Sequence, residues 1–283
     1  MNAKESGNRF VMPALVLLAA VTVYPALSVF YLSLQRRLPI FDIAKFTGLD
    51  NYRFLLQDDR FWNALGNTVY FTGVSVGLEL LLGLAIALLL NRDFRLKGLV
   101  TALVLVPWAI PTVVSARMWE WMYNTDFGVL NYLLGTKINW LGSPLWALNA
   151  AVFMDVWKTT PFVTILLLAG LKMIPGDLYQ AARIDGAGIW PTFTRITLPL
   201  LMPVILVVVI LRTLDAFRVF DAVYVLTGGG PANSTETLSI YAYKILFQTL
   251  QFGYGSTLSV AVFLCAGSIT ALSLRFLRTR VQS

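Results

Sequence analysis

The sequence predicts an all-α membrane protein with six transmembrane helices, and three observations carry that prediction. Of 283 residues, 57% are hydrophobic and 13% charged, and the mean hydropathy is +0.70, too apolar for a soluble globular domain. The apolar residues gather into runs that reach the roughly 20 residues a helix needs to cross about 30 Å of hydrocarbon. One polar island, Tyr179 to Pro203, interrupts them with the pattern of a short helix, a glycine turn and a second short helix.

The first run, near 10–34, follows Lys4 and Arg9 but is longer than the about 7–15 residues of a signal-peptide core, which predicts a retained anchor. The connection after it, Phe46 to Thr68, predicts a short interfacial helix with Tyr52, Phe54, Phe61 and Trp62 as aromatic anchors. Spans near 63–90, 99–123 and 147–171 follow, with a turn-rich connection from Asn124 to Trp146 punctuated by Gly128, Gly135 and Gly142. In the polar island Ala181 and Ala182 favour helix and leave a slim surface, and Asp185-Gly186 supplies turn chemistry. Thr197-Leu198-Pro199 predicts the start of the next helix, because a proline in the first turn gives up an N–H that would lack a partner anyway. That span is expected near 199–223. Three glycines and a proline, Gly228 to Pro231, then stop any helix, and the last span is expected near 254–277.

Basic residues near span ends set the orientation. With both termini cytoplasmic, the inner face carries eleven basic residues (Lys4, Arg9, Arg92, Arg95, Lys97, Lys172, Arg183, Arg195, Arg275, Arg278, Arg280) against four acidic ones. The outer face then carries eight against seven. The formal charge of +7 is thus a topology signal and not a nucleic-acid-binding surface. With no histidine and only Cys265, a soft metal site is excluded. No Gly-Lys dipeptide occurs, so the chain has no phosphate-cradling P-loop, and ATP-driven work needs another polypeptide.

Ionisable residues at membrane depth cost about 2.5–3.5 kcal/mol each on insertion scales and face a water path or one another. Glu79, Asp155, Lys158, Arg212, Asp215, Arg218 and Asp221 all fall in or at the expected spans. The last four step by three with alternating sign, which suits side-by-side pairing on a helix. A ladder is the favoured reading for Arg218–Asp221, and a polar passage for Asp155, Lys158, Arg212 and Asp215. Sugars suit such a passage, their hydroxyls pairing with polar groups and their C–H faces with rings. Trp119, Tyr123, Trp157, Phe162 and Phe217 offer rings nearby.

At the polar island the chain resembles the permease subunits of binding-protein-dependent ABC importers, in the sugar group that includes the maltose permease. The family's cytoplasmic loop E-A-A-x-x-D-G-A, ending in I-x-L-P, is matched by Gln180, Ala181, Ala182, Asp185, Gly186, Ala187, Ile196, Leu198 and Pro199. Gln180 stands where the family has glutamate, which puts any ion pair to the ATPase in doubt while leaving an amide able to hydrogen-bond. T-x-G-G-P is matched by Thr227, Gly229, Gly230 and Pro231, and the resemblance extends over nearly the whole chain. It implies a single type I ABC importer transmembrane domain over 1–283, with an ATPase-docking loop at about 173–198. It also places Asp155, Lys158, Thr159, Phe162, Arg212, Asp215 and Val219 where sugar-contacting residues fall, the charges implying a sugar unlike maltose.

The implied partners are a second, homologous permease subunit, a pair of ATPase subunits carrying ATP and magnesium, and an extracytoplasmic sugar-binding protein. This chain itself is expected to bind no cofactor and to sit in a bacterial or archaeal cytoplasmic membrane. The cargo is expected to be an oligosaccharide moved by alternating access. Alternatives are a glycerol-phosphate or polyol importer of the same kind, or a proton-coupled secondary transporter using Asp155 or Glu79. An intramembrane enzyme is disfavoured, because no catalytic constellation presents itself at that depth.

Overall fold

The structure, a computed structural model, describes residues 3–281, with side chains from Val11 to Ser273 and that of Arg275. The inner-face side chains of Lys4, Arg9, Arg278 and Arg280 lie outside the described residues. Helices α1 (Ala3–Leu18) and α2 (Tyr24–Ser33) are joined by a π-helical turn and lead to a hairpin of β1 (Gln35–Leu38) and β2 (Ile43–Phe46). Then come α3 (Asp50–Gln57), α4 (Asp59–Leu90), α5 (Lys97–Ala109), α6 (Thr112–Met122), α7 (Val129–Leu134) and α8 (Pro144–Lys172). The chain closes with α9 (Gly176–Ile184), α10 (Ile189–Thr192), α11 (Leu198–Phe217), α12 (Asp221–Thr227), α13 (Leu238–Tyr243) and α14 (Phe252–Val281). Among the described residues, five helices are long and apolar enough to cross a membrane, and six if α5 and α6 cross as one bent span.

Prolines explain where the spans depart from straight rods. The sequence predicts one helix over 99–123, but the structure breaks it between α5 and α6 with a bend of 96°. Ile110 precedes Pro111, and the proline ring disfavours the helical region for its predecessor, so Ile110 is extended at φ −76°, ψ 132°. Pro161 lies inside α8 without ending it. The fifth span is also corrected. It does not begin at Leu198 but runs from Ile189 to Phe217, with a π-helical turn at Phe193–Thr197. Pro199 cannot bond back to Arg195, and the widened turn just before it absorbs the missing bond and the ring's bulk. The π-helical turn at Ala19–Val23 precedes Pro25 in the same way. Because α11 ends at Phe217, Arg218 and Asp221 share no helix. Among the described residues they form no ion pair with each other: Arg218 Nε donates to the Leu214 carbonyl instead, which removes the expected Arg218–Asp221 rung.

The chain divides into two compact units. The first holds Met1–Trp62 and Leu238–Cys265. Its β1 and β2 pair antiparallel from Gln35↔Phe46 to Leu38↔Ile43, a hairpin the sequence reading did not foresee. The expected interfacial helix is α3, but the expected aromatic anchors continue into the first turn of α4 and are partly structural. Tyr52 bonds Ser33 at 2.7 Å and Phe61 is buried, whereas Phe54 and Trp62 are exposed. Asp58 accepts from the hydroxyls of Tyr241, at 2.5 Å, and Tyr254. Burial, then the hydrogen bond to Asp58, push the Tyr241 hydroxyl above its ordinary range, so it stays a donor.

The second unit holds Asn63–Thr237 and Ala266–Ser283. Its apolar core joins Ala87 of α4, Val163, Leu167 and Leu171 of α8, and Leu201 and Val208 of α11. Small residues let these helices approach. A Cβ on Gly83 would lie 2.6 Å from Val163 Cγ1, and one on Gly170 2.8 Å from Leu201 Cδ1. The Thr227–Pro231 turn closes on itself: Thr227 and Thr235 hydroxyls bond at 2.7 Å, and Thr235 donates to the Gly230 carbonyl.

Candidate functional site

A cavity of about 280 Å³ lies beside the Ile110–Pro111 break in the second unit. Trp108 from the end of α5 and Thr112 from the start of α6 line it. Asp155, Lys158 and Thr159 come from one face of α8, since steps of three and four return to the same side of a helix. Arg212, Asp215 and Ala216 come from α11, Arg218, Val219 and Phe220 from the connection to α12, and Asp221 and Ala222 from the start of α12.

Arg212 is the electrostatic centre and is only 3% exposed. Its Nε donates to Glu79 Oε2 at 2.6 Å and one terminal nitrogen to Glu79 Oε1 at 2.8 Å, a forked pair matched to carboxylate geometry. The same nitrogen lies 3.2 Å from Asp155 Oδ2 and 3.3 Å from the Thr159 hydroxyl. The other terminal nitrogen donates to Asp215 Oδ2 at 2.5 Å. Thr159 Oγ1 sits 2.6 Å from both Glu79 Oε1 and the Asp155 carbonyl, so its single proton serves one acceptor at a time. Three helices, α4, α8 and α11, are therefore tied by one guanidinium. Lys158 differs. It is 9% exposed and lines the cavity, and it has no hydrogen bond or ion pair among the described residues.

Of the residues singled out in the sequence, the cavity thus gathers Asp155, Lys158, Thr159, Arg212, Asp215 and Val219. Phe162 stands behind it, packed on Trp108 with ring centroids 5.8 Å apart. Trp119 and Tyr123 are not in the lining: Trp119 packs on Tyr123 and Trp157, and the Tyr123 hydroxyl donates to the Ala150 carbonyl at 2.9 Å. The sequence reading missed Trp108, Thr112 and Phe220. Pro107 and Pro111 bracketing Trp108 were the available signal, since a proline-broken span leaves polar backbone that must face a cavity or protein.

The expected docking unit is built as its residues dictate. Helix α9 ends in a paired cap, with Ala187 N–H on the Ala182 carbonyl at 2.8 Å and Gly186 N–H on the Arg183 carbonyl at 3.1 Å. That cap needs a left-handed residue, and Gly186 supplies φ +72°. Ala182 is buried while Gln180, Ala181, Asp185, Gly186 and Ala187 are exposed. Around them Ile184, Ile189 and Trp190 are also exposed, an apolar surface beyond what a helix end requires. The Tyr179 hydroxyl meets Thr197 at 3.2 Å and ties α9 to the base of the fifth span.

Known proteins resemble this chain over most of its length. The family described as binding-protein-dependent transport system inner membrane component matches residues 79–283. The trehalose/maltose transport system permease of Thermococcus litoralis is 45% identical over 278 residues, covering 97% of this chain and 94% of that one. The trehalose transport system permease of Mycobacterium tuberculosis is 43% identical over 266 residues, covering 94% and 86%. A chain of a bacterial ABC transporter that imports the acidic polysaccharide alginate superposes with a TM-score of 0.85 at 22% identity, covering 96% and 94%.

Proposed function

The chain belongs to the family of inner membrane components of binding-protein-dependent transport systems, and from that premise we propose that it is the permease subunit of an ATP-driven importer for a disaccharide of the trehalose or maltose kind, in place of the sugar unlike maltose that the charged positions suggested. The supporting observation is the cavity at the α5–α6 break. It joins an aromatic face, Trp108, to donors and acceptors, Lys158, Thr112, Asp155 and Asp215, at a depth where isolated polar groups are costly. A pyranose offers an apolar face to the ring and hydroxyls to the polar groups, and it enters from a loaded binding protein outside the membrane.

The chain carries no ATP-binding machinery of its own in this reading. A pair of ATPase subunits, with ATP and magnesium, grips the unit from Gln180 to Ala187 and the apolar surface of Ile184, Ile189 and Trp190. A second permease completes the pathway, and both termini and residues 173–198 face the cytoplasm. Closure of the ATPases rocks the helices about the cavity, a rigid-body step with no covalent chemistry in this chain.

Reconstitution tests this. The chain, its permease and ATPase partners and their binding protein in proteoliposomes are expected to take up labelled trehalose only with internal-face ATP, with maltose competing. Uptake of glycerol phosphate or a polyol in place of either disaccharide would overturn the cargo. Uptake by this chain alone, driven by a proton gradient, would overturn the importer.

A further inference from the structure

Glu79 is fully buried and contributes nothing to the cavity wall, yet both its oxygens are engaged by residues that do. Oε1 and Oε2 accept from Arg212, and Oε1 also faces Thr159. Opposite Glu79, the guanidinium's other partners lie on the cavity side: Asp155, and Asp215, whose side chain is 69% exposed. Glu79 is therefore the group that draws Arg212 back into the helix packing. Arg212 in turn occupies Asp155, which lies three residues from Lys158 on the same helix and is its nearest acidic neighbour in sequence. Lys158 is left on the cavity wall as a buried ammonium without a carboxylate.

We propose that Glu79 is the positioning residue of this transport site: through Arg212 it keeps Asp155 off Lys158, and so leaves the Lys158 ammonium to donate to oxygens of the cargo. The proposal rests on the cavity being the cargo path. Without the Glu79 charge, Arg212 loses the forked pair that faces it away from the cavity and turns towards Asp215. Asp155 is released and settles on Lys158. The donor is then quenched by a neighbour that the intact network holds elsewhere.

The test is trehalose moved per ATP hydrolysed by the complete importer in proteoliposomes, per assembled complex. Glu79→Gln is expected to lower that ratio about tenfold, the factor that loss of one charge-assisted hydrogen bond to cargo brings. Adding Asp155→Asn to Glu79→Gln is expected to restore most of it, because the amide no longer quenches Lys158. A purely structural cross-tie gives the opposite order, the double variant assembling less well and transporting no better than the single one, and that result overturns the proposal. So does a wild-type ratio in Glu79→Gln. Should Glu79→Gln not assemble, Glu79→Asp, whose shorter arm withdraws the forked pair from Arg212, carries the same comparison with and without Asp155→Asn. Absence of trehalose uptake by the wild-type complex overturns the cargo reading, and this proposal with it.

Discussion

Lys158 and Arg212 are both cations on the cavity wall, and their surroundings predict opposite consequences of losing them. Lys158→Met strands no protein partner, so the assembled complex is expected to keep its melting temperature while trehalose uptake falls. Arg212→Met leaves Glu79, Asp155 and Asp215 without their shared cation. Stranding buried charges costs about 3–5 kcal/mol, so little assembled complex is expected by size-exclusion chromatography. Full assembly of Arg212→Met would refute the cross-tie. Trp108 sits on the same wall with Phe162 behind its ring. Trp108→Ala is expected to reduce uptake by about tenfold and Trp108→Phe by much less, because a stacked ring contributes about 1 kcal/mol beyond its area. Equal loss in both variants would count against stacking.

The elements show which parts of the structure the residues announced and which they did not. Five of six spans lie within a few residues of their apolar runs, because a bilayer admits helices of one length and little else. The turn at Gly186 was legible for a similar reason, since Asp-Gly after two alanines has few conformations open to it. The α5–α6 break escaped because hydropathy runs unchanged through Trp108-Ala109-Ile110-Pro111, and only the backbone rule for pre-proline residues marks it. Arg218–Asp221 misled because a step of three implies neighbours only while the helix continues, and α11 stops at Phe217. The partners of Glu79 were illegible, since Arg212 lies 133 residues away and no local pattern specifies such a contact. Packing yields a prediction at this scale. Gly170→Leu forces side-chain atoms into Leu201 and Val204, and overpacking costs about 1–3 kcal/mol. A fall of several degrees in the melting temperature of the purified complex is expected, and an unchanged value would argue against that close approach.

At the scale of the whole molecule, the predictions concern orientation and coupling. In a Cys265→Ser background, Thr192→Cys is expected to resist an impermeant thiol reagent in intact cells and to react after lysis. Labelling before lysis would reverse the topology. Gly186→Val is expected to uncouple, because a β-branched residue in a left-handed conformation is strained by about 1–2 kcal/mol. Space around Gly186 is open within this chain, so the defect should appear as ATPase activity unresponsive to loaded binding protein, with this subunit still folded. Normal stimulation would move the coupling surface elsewhere. Gln180→Glu is expected to be tolerated, since it exchanges one acceptor for another.

The continuity of the fifth span has a mechanical consequence. Ile189, on the exposed surface of the docking unit, and Arg212 belong to one helix of 29 residues, Ile189–Phe217. At 1.5 Å per residue the two are about 35 Å apart along its axis. Such a shaft is a lever with its handle in the exposed turn region around Ile189 and its tip among the carboxylates. A tilt of about 5° at the handle carries the tip roughly 3 Å, more than a hydrogen bond tolerates before it is lost. The Arg212 contacts to α4 and α8 are therefore the first to feel a stroke made at the far end, which arrives at the cavity wall as a change of leverage.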